Sequence, residues 1–183
     1  ALGGITLGQE RALLVGNLVA FLFCLRAAVR LRLEGRRDLT PTVRELTFRA
    51  ARSFTFSPGQ YLELDVPHRR PDARGTRREF SIASAPEDLP TVRIAFKDGS
   101  QSSYKRALAE VPVGGTLAVT GVWGDFVLPS RPTSPVLLVA AGIGVTPFVS
   151  QLRHLAATGQ TRDVVLVYVV SEANELAFRD DIA

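Results

Sequence analysis

Two adjacent arginines, Arg77 and Arg78, stand directly before an aromatic residue and a serine in the stretch RREFSIAS. Arginine presents a planar fork of N–H donors that matches the oxygens of a phosphate. If this stretch is a strand, Phe80 points to the same face as Arg78, because side chains alternate along a strand. A flat ring beside a phosphate clamp, with the Ser81 hydroxyl near the ring edge, is what a flavin needs. The stretch therefore predicts a flavin site.

A second candidate anion site follows in the stretch DGSQSSY. Its residues precede a predicted helix, whose free amides and dipole favour a phosphate. They are Gly99, Ser100, Gln101, Ser102 and Ser103. Each piece has an ordinary alternative: a salt-bridged surface arginine, a core phenylalanine, or a serine that caps a helix. The joint order of the pieces along the chain favours the cofactor interpretation.

A glycine-rich turn lies between a buried-strand pattern, PVLLVAAGIG, and a helical pattern, TPFVSQLRHLAATG. Gly142 and Gly144 let a ligand approach the backbone closely, and the helix start at Thr146 and Pro147 favours negative charge. The turn is not a GxGxxG fingerprint, since a threonine and a proline follow. It predicts a phosphate or dinucleotide site, with a tight turn that binds no ligand as the alternative.

The composition agrees with an anionic partner. The 183 residues have a formal net charge of +4 and a pI of about 9.8. That balance suits a phosphate-bearing cofactor, an acidic protein, an anionic membrane surface or nucleic acid. No nucleic-acid partner is predicted, because few aromatic residues accompany the basic ones. The single cysteine, Cys24, excludes a disulfide framework and a cysteine-ligated iron–sulfur cluster within these residues, and no metal site is predicted.

Three zones must position these candidate residues. Residues 1–30 form an apolar segment with a basic flank, and residues 31–131 contain short alternating runs that predict an antiparallel barrel or sandwich. Residues 132–183 follow a strand–helix–strand–helix pattern, the opening half of a doubly wound parallel sheet. Two strands leave such a sheet incomplete, so we expect the chain to be a segment of a longer protein.

The first zone contains an uncharged run, residues 12–25, bracketed by Arg11 and Arg26. It is shorter than the ~20 residues of a usual membrane span. Arginine snorkelling and the following AAV could lengthen it. By the positive-inside rule, the arginines after it predict that the rest of the chain is cytoplasmic. We therefore expect a transmembrane helix, with a buried or interfacial helix as the alternative.

Taken in order, the motifs resemble those of the ferredoxin–NADP reductase superfamily. That family has Arg-x-Tyr-Ser on a barrel strand, Gly-x-x-Ser before a short helix, a Gly-Pro-x-Gly-x-Phe turn, and Gly-x-Gly-x-Thr-Pro opening the nucleotide domain. The matching stretches are Arg78-Glu79-Phe80-Ser81 and residues 99–102, 121–126 and 142–147. The resemblance covers residues 35–183. It implies an antiparallel Greek-key flavin-binding β-barrel followed by a parallel α/β nucleotide-binding domain.

On the flavin side, the resemblance implies that Arg78 holds the flavin phosphate, that Phe80 packs on the isoalloxazine, and that Ser81 hydrogen-bonds near flavin N5. Phe80 replaces the family's usual tyrosine. Ser102, Ser103 and neighbouring amides would take the phosphate. The ribityl side would be lined by the backbone of three consecutive residues, Ala95, Phe96 and Lys97.

On the nucleotide side, Gly142, Gly144, Thr146 and Pro147 would meet the nicotinamide and its pyrophosphate. Ser81 and Thr146 are the candidate catalytic residues. The family's closing strand near the nicotinamide lies outside this sequence, and Val122 replaces the proline of the family's turn.

The implied activity is that of an FAD-dependent oxidoreductase, which takes hydride from NAD(P)H onto FAD and passes electrons to a membrane-associated or protein acceptor. The alternative is a non-catalytic flavoprotein electron relay that uses no nicotinamide nucleotide. The stretch HRRPDARGTRREFSIAS further resembles a subgroup fused to an Rnf/Nqr-type membrane domain, which predicts a cell-membrane location. His68, Asp72 and Arg74 are interpreted as part of a solvated loop without a catalytic role.

Overall fold

The computed structural model describes residues 8–98 and 101–182. Its helices and strands, in chain order, are α1 (Gln9–Ala27), β1 (Val29–Asp38), β2 (Val43–Ala50), β3 (Tyr61–Asp65), β4 (Arg77–Ser81), β5 (Thr91–Lys97), α2 (Ser103–Glu110), β6 (Thr116–Trp123), β7 (Val136–Ala141), α3 (Thr146–Thr158), β8 (Val164–Val169) and α4 (Arg179–Ile182). Gly99 and Ser100, which belong to the second candidate anion site, lie outside the described residues.

Six strands form one antiparallel sheet in the order β4-β3-β6-β1-β2-β5. Buried and exposed residues alternate at the start of β1, as expected when one face of a strand lies on a core. The last of these strands in the chain, β6, returns to lie between β1 and β3. The predicted Greek-key barrel stays a prediction, because β4 and β5 form no ladder among the described residues. The edge strands approach each other at an isolated bridge between Ile82 and Ile94. The predicted antiparallel sheet is confirmed, while a closed barrel ladder is not present among the described residues.

The second unit consists of two parallel strands and the helix between them. β7 and β8 pair in register from Val136 with Val164 to Ala141 with Val169. α3 ends at Gly159, whose positive φ of 65° is the left-handed conformation that favours glycine. The predicted parallel pair with its connecting helix is confirmed, although one face of the two strands is not covered by other described residues.

A cluster of small and apolar side chains joins the two units. Ala83 and Ala95 of the antiparallel unit pack with Val145, Phe148 and Val149 at the start of α3. Small residues on the first unit permit this close approach. The contact places the glycine turn beside β5.

Side-chain hydrogen bonds from α3 add to the apolar contact. The Ser150 hydroxyl donates to the Ser84 carbonyl over 2.7 Å, and Arg153 donates to the Ala83 carbonyl over 2.8 Å. Both carbonyls lie just beyond β4. The second unit is therefore anchored to the chain segment that follows the predicted flavin strand.

The N-terminal segment forms the predicted helix, α1. Most of its described apolar side chains, including Leu14, Val19 and Phe21, are exposed. Within the described part of the chain, none of the helices is both long and apolar enough to cross a membrane. The predicted transmembrane span is therefore not supported, because the charged residues Arg11 and Arg26 fall within the helix and limit its uncharged run.

Candidate functional site

The sheet opens between β4 and β5. Among the described residues, the two edges are joined by the Ile82–Ile94 bridge, a hydrogen bond from the Ala83 amide to the Arg93 carbonyl and one from the Arg93 amide to the Ser84 hydroxyl. The rest of β4, which contains the predicted flavin residues, forms no ladder with β5. The opening therefore separates the two strands on which the sequence placed flavin contacts.

Arg78 lies at this opening beside the first turn of α2. Its guanidinium carbon is 5.0 Å from the centre of the Tyr104 ring, a cation–π contact. Tyr104 is itself fixed, because its hydroxyl donates to the Leu64 carbonyl over 2.8 Å and burial raises its pKa. The structure thus brings together the two groups predicted to bind phosphate, Arg78 and the start of the serine-rich helix.

The paired arginine, Arg77, has a different environment. Its side chain is more than half exposed, and its ion pair with Glu63 spans 3.9 Å. Pairs of that kind contribute little to stability. Arg77 therefore differs from Arg78, whose side chain is only 9% exposed.

Phe80 lies in the core of the antiparallel unit. Its ring stacks on Tyr104 with 6.0 Å between the centroids, and the ring planes are inclined by 26°. Tyr104 thus covers one face of the ring, and Arg78 packs on the same tyrosine. The predicted contact between Phe80 and an isoalloxazine stays a prediction.

Ser81 is half-buried and pairs across the sheet with Tyr61 of β3. Tyr61 in turn pairs with Trp123 of β6, whose ring centroid is 6.3 Å away. Trp123 is about half exposed, so an aromatic surface lies next to the predicted N5 contact. This aromatic pair was not predicted, although its members lie in the strand-like run at residues 60–66 and in the motif at residues 121–126.

The segment Gly121–Phe126 forms hydrogen bonds with residues of both units. Gly124 has a positive φ of 112°, and its carbonyl accepts a 3.0 Å hydrogen bond from Gln60. The Phe126 carbonyl accepts a 2.8 Å hydrogen bond from Gln151 of α3. The motif therefore links the antiparallel sheet to the second unit.

The three predicted backbone contacts on β5 have separate surroundings. The Ala95 side chain packs in the cluster between the units, whereas Phe96 points into the core of the antiparallel unit. Lys97 is exposed and forms a 3.7 Å ion pair with Glu175, and its carbonyl accepts a hydrogen bond from Lys105. The ribityl contacts predicted for their backbone stay predictions.

Ser102 caps α2 by accepting a hydrogen bond from the Lys105 amide over 3.4 Å. The hydroxyl of Ser103 lies 3.2 Å from Nε2 of His68, in the loop that joins β3 to β4. Both hydroxyls thus have partners within the chain, and the first-turn amides of α2 remain the groups best suited to an anion.

The glycine turn presents bare backbone. Gly142, with a φ of +49°, and Gly144 are both exposed, and an added Cβ at either position would meet no atom within 4 Å. Pro147 lies in the first turn of α3, as predicted. Thr146 is 3% exposed, and its hydroxyl donates to the Ile143 carbonyl over 2.7 Å. The glycines are accessible to a ligand, whereas the Thr146 hydroxyl points into the turn.

An antiparallel sheet with an arginine at its opening, joined to a strand–glycine turn–helix–strand unit, is the architecture expected of the ferredoxin–NADP reductase class. No family model matches the chain. It is 33% identical over 132 residues to the reductase component of propane 2-monooxygenase from Mycolicibacterium goodii, covering 70% of this chain and 36% of that protein. It is 33% identical over 156 residues to ferredoxin–NADP reductase B from Sorangium cellulosum, covering 82% of this chain and 62% of that protein.

Among solved structures, phthalate dioxygenase reductase matches 86% of this chain and 48% of its own chain, with a TM-score of 0.73 and 24% identity. That likeness shows the fold. Together the comparisons support the assignment of this chain to the superfamily of ferredoxin–NADP reductase- and flavohemoprotein-like FAD-binding reductases. The names of these relatives, a reductase component and a ferredoxin–NADP reductase, agree with the predicted class of an FAD-dependent NAD(P)H oxidoreductase. The chain spans less than two thirds of the length of either curated relative.

Proposed function

We propose that this chain is the flavin-reducing part of an oxidoreductase that takes hydride from NAD(P)H and passes electrons to a redox partner. The observation that supports this most directly is the placement of Arg78 beside the first turn of α2, at the opening between β4 and β5. A buried guanidinium next to the first-turn amides of a helix fits the phosphates of FAD.

The glycine turn supports the second half of the proposal. Val145 of this turn belongs to the same buried cluster as Ala95 of β5, so a nucleotide bound there would lie beside the flavin opening. When bound, FAD would supply the chemistry, since it accepts a hydride and releases electrons one at a time. The chain's own residues would bind and orient the two cofactors. Ser81 is proposed to contact the flavin edge and Thr146 to shape the nicotinamide entrance.

Glu172 supports a preference for NADH. It is exposed and lies three residues past the end of β8, where an acidic residue repels the 2′-phosphate of NADPH. We propose that NADH is the better donor.

The acceptor is proposed to be a redox protein or a membrane-bound redox group. A location at the cell membrane is proposed, with the flavin unit on the cytoplasmic side, because the exposed apolar side chains of α1 and the arginines after it suit an anionic lipid surface. The resemblance of residues 68–84 to the Rnf/Nqr-fused subgroup supports the same placement. Flotation of the full chain with anionic lipid vesicles tests it, and a protein that stays in the dense fraction would contradict it.

The test of the function itself begins with the absorbance spectrum of the purified full chain after addition of FAD. We expect a bound flavin, and we expect anaerobic NADH to bleach it faster than NADPH does. A bound flavin that neither nucleotide bleaches would favour the non-catalytic relay. A chain that binds no flavin would contradict the proposal.

A further inference from the structure

The loop at residues 66–76, between β3 and β4, folds back on itself. Its base is closed by a hydrogen bond from the Val66 amide to the Thr76 carbonyl over 2.8 Å. Asp72 organises its tip, because its Oδ1 accepts a 2.9 Å hydrogen bond from the Arg74 amide and its carbonyl accepts one from the Gly75 amide. The Asp72 carboxylate is therefore held by the loop backbone.

The same carboxylate forms an ion pair with Arg78. Nη2 of Arg78 is 2.5 Å from Oδ1 of Asp72. Nη1 donates to three carbonyls, those of Arg74, Gly75 and Arg77, at 2.6–3.2 Å. Nε makes no hydrogen bond within the described part of the chain. The loop thus binds the outer side of the guanidinium and leaves the edge formed by Nε and one Nη2 proton for an outside acceptor.

The other arm of the loop reaches α2. Nδ1 of His68 is 2.7 Å from the Val66 carbonyl and Nε2 is 3.2 Å from the Ser103 hydroxyl. The His68 ring also meets the Tyr104 ring edge-on, with 6.2 Å between the centroids. One loop therefore contacts both groups of the proposed phosphate site.

We propose that the 66–76 loop positions this phosphate site and that Asp72 is the residue that orients the Arg78 guanidinium toward the phosphates of FAD. The inference rests on the proposed flavin function. Arg78 lowers the pKa of Asp72, so the carboxylate is charged at neutral pH. Asp72 is a positioning residue, since it acts through Arg78.

The contrary interpretation is that Asp72 competes with the phosphate for Arg78. Two features argue against it. The Arg74 amide holds the Asp72 carboxylate on one side of the guanidinium, and the guanidinium edge best suited to a bidentate phosphate contact is left free. The two interpretations predict opposite changes in FAD affinity.

The test compares Asp72→Ala, Asp72→Asn, Arg78→Ala and the double variant Asp72→Ala/Arg78→Ala in the full chain. FAD and riboflavin, which lacks phosphate, are titrated separately against each apoprotein. We expect Asp72→Ala to weaken FAD binding about tenfold, as loss of an outer-shell partner does, and to leave riboflavin binding unchanged. Asp72→Asn retains an oxygen acceptor and should lose less. The double variant should lose no more than Arg78→Ala alone.

Glu79→Gln is the matched control, because Glu79 is an exposed carboxylate next to Arg78 with no side-chain hydrogen bond among the described residues. It should bind both flavins as the unaltered chain does. Tighter FAD binding by Asp72→Ala would establish competition and overturn the proposal. Equal losses for FAD and riboflavin, or additive losses in the double variant, would also overturn it, because they indicate a merely structural loop.

Inorganic pyrophosphate separates this proposal from the proposed function. If the unaltered chain binds no flavin, the flavin function fails. The loop's role at an anion site then stands only if pyrophosphate raises the thermal midpoint of the unaltered chain and Asp72→Ala removes that rise. An unaltered chain that responds to neither flavin nor pyrophosphate would overturn both.

Discussion

The proposed flavin site and the proposed nucleotide site differ in how many of their groups already have partners within the chain. At the flavin side, Arg78 is compensated by a carboxylate, three carbonyls and an aromatic ring before any ligand arrives. At the nucleotide side, Gly142 and Gly144 leave backbone open. A buried charge must be paired for a unit to fold, whereas a glycine turn has no such requirement.

The same contrast holds for the apolar residues. The core of the antiparallel unit is enclosed, with Leu31, Phe48 and Ile94 fully buried. The β7–β8 pair has one face on α3 and one face exposed, so Leu138 is 7% exposed and its neighbour Leu137 is 66% exposed. The flavin side is therefore preorganised, and the nucleotide side contains a large apolar surface outside its core.

The largest effect is expected on the free energy of unfolding, from a substitution on the face of the β7–β8 pair that packs on α3. Leu138→Ala should lower the free energy of unfolding by about 2–5 kcal/mol, because it leaves a cavity against α3. Leu137→Ala is the matched control and should change it by no more than about 0.5 kcal/mol. Urea unfolding of both variants measures the difference. A comparable loss for Leu137→Ala would show that the exposed face is covered in solution.

The next effect concerns the compensated arginine. Arg78→Ala should weaken FAD binding by roughly 10–100-fold, since a charge-assisted hydrogen bond contributes about 1.5–3 kcal/mol. Arg77→Ala should have a much smaller effect, because its side chain is exposed and only weakly paired. Flavin titration of both apoproteins tests this, with thermal unfolding as the control for folding. Equal losses would remove Arg78 from the site.

Much of this architecture was predictable from local patterns. Alternating burial in β1, the continuous apolar runs of β7 and β8, and Gly159 at the end of α3 follow from periods and propensities that a short window contains. The start and end of a helix or strand depend mainly on residues nearby in the sequence, so they could be predicted from the sequence.

The surroundings of the site were not predictable in the same way. Arg78 meets Tyr104, and His68 meets Ser103, across separations that no window spans. The loop around Asp72 has the Pro, Gly and charge content of a solvated loop. Its amino-acid composition does not indicate that Asp72 forms an ion pair with Arg78. The predicted membrane span was wrong because it relied on snorkelling of Arg11 and Arg26 to lengthen a short uncharged run, whereas the helix that forms includes both charges and is not apolar enough to cross a membrane.

A smaller effect should appear in the acid stability of the contact between the units. Asp181 of α4 pairs with Arg153 at 2.5 Å and with Arg37 at 3.0 Å. Burial alone would raise its pKa, but these two ion pairs outweigh burial and lower it. A lowered pKa in the folded state gives stabilisation above the unfolded pKa of about 3.9, which is lost as the pH falls through the folded pKa.

Asp181→Asn should therefore reduce stability at neutral pH by about 1–2 kcal/mol, as loss of a hydrogen-bonded charge does. The deficit should shrink as the pH is lowered from about 5 toward 2. Asp180→Asn is the control, because Asp180 is exposed and forms no ion pair among the described residues. Chemical unfolding at stepped pH measures both variants. A deficit that is constant with pH would rule out the ion pairs as its cause.

The smallest effect is expected on the rate of flavin reduction, from a substitution at the glycine turn. Thr146 was predicted to face the nicotinamide, yet its hydroxyl is buried and donates to the Ile143 carbonyl. If that bond shapes the nicotinamide entrance, Thr146→Val should slow reduction of bound flavin by NADH about 2–10-fold and leave flavin affinity unchanged, since one neutral hydrogen bond contributes about 0.5–1.5 kcal/mol. Thr146→Ser retains the hydroxyl and should restore most of the rate. Stopped-flow bleaching of the flavin measures all three proteins. An unchanged rate in Thr146→Val would limit the residue to starting α3, whereas a loss of flavin would mean that the two cofactor sites are coupled through the buried cluster that contains Val145 and Ala95.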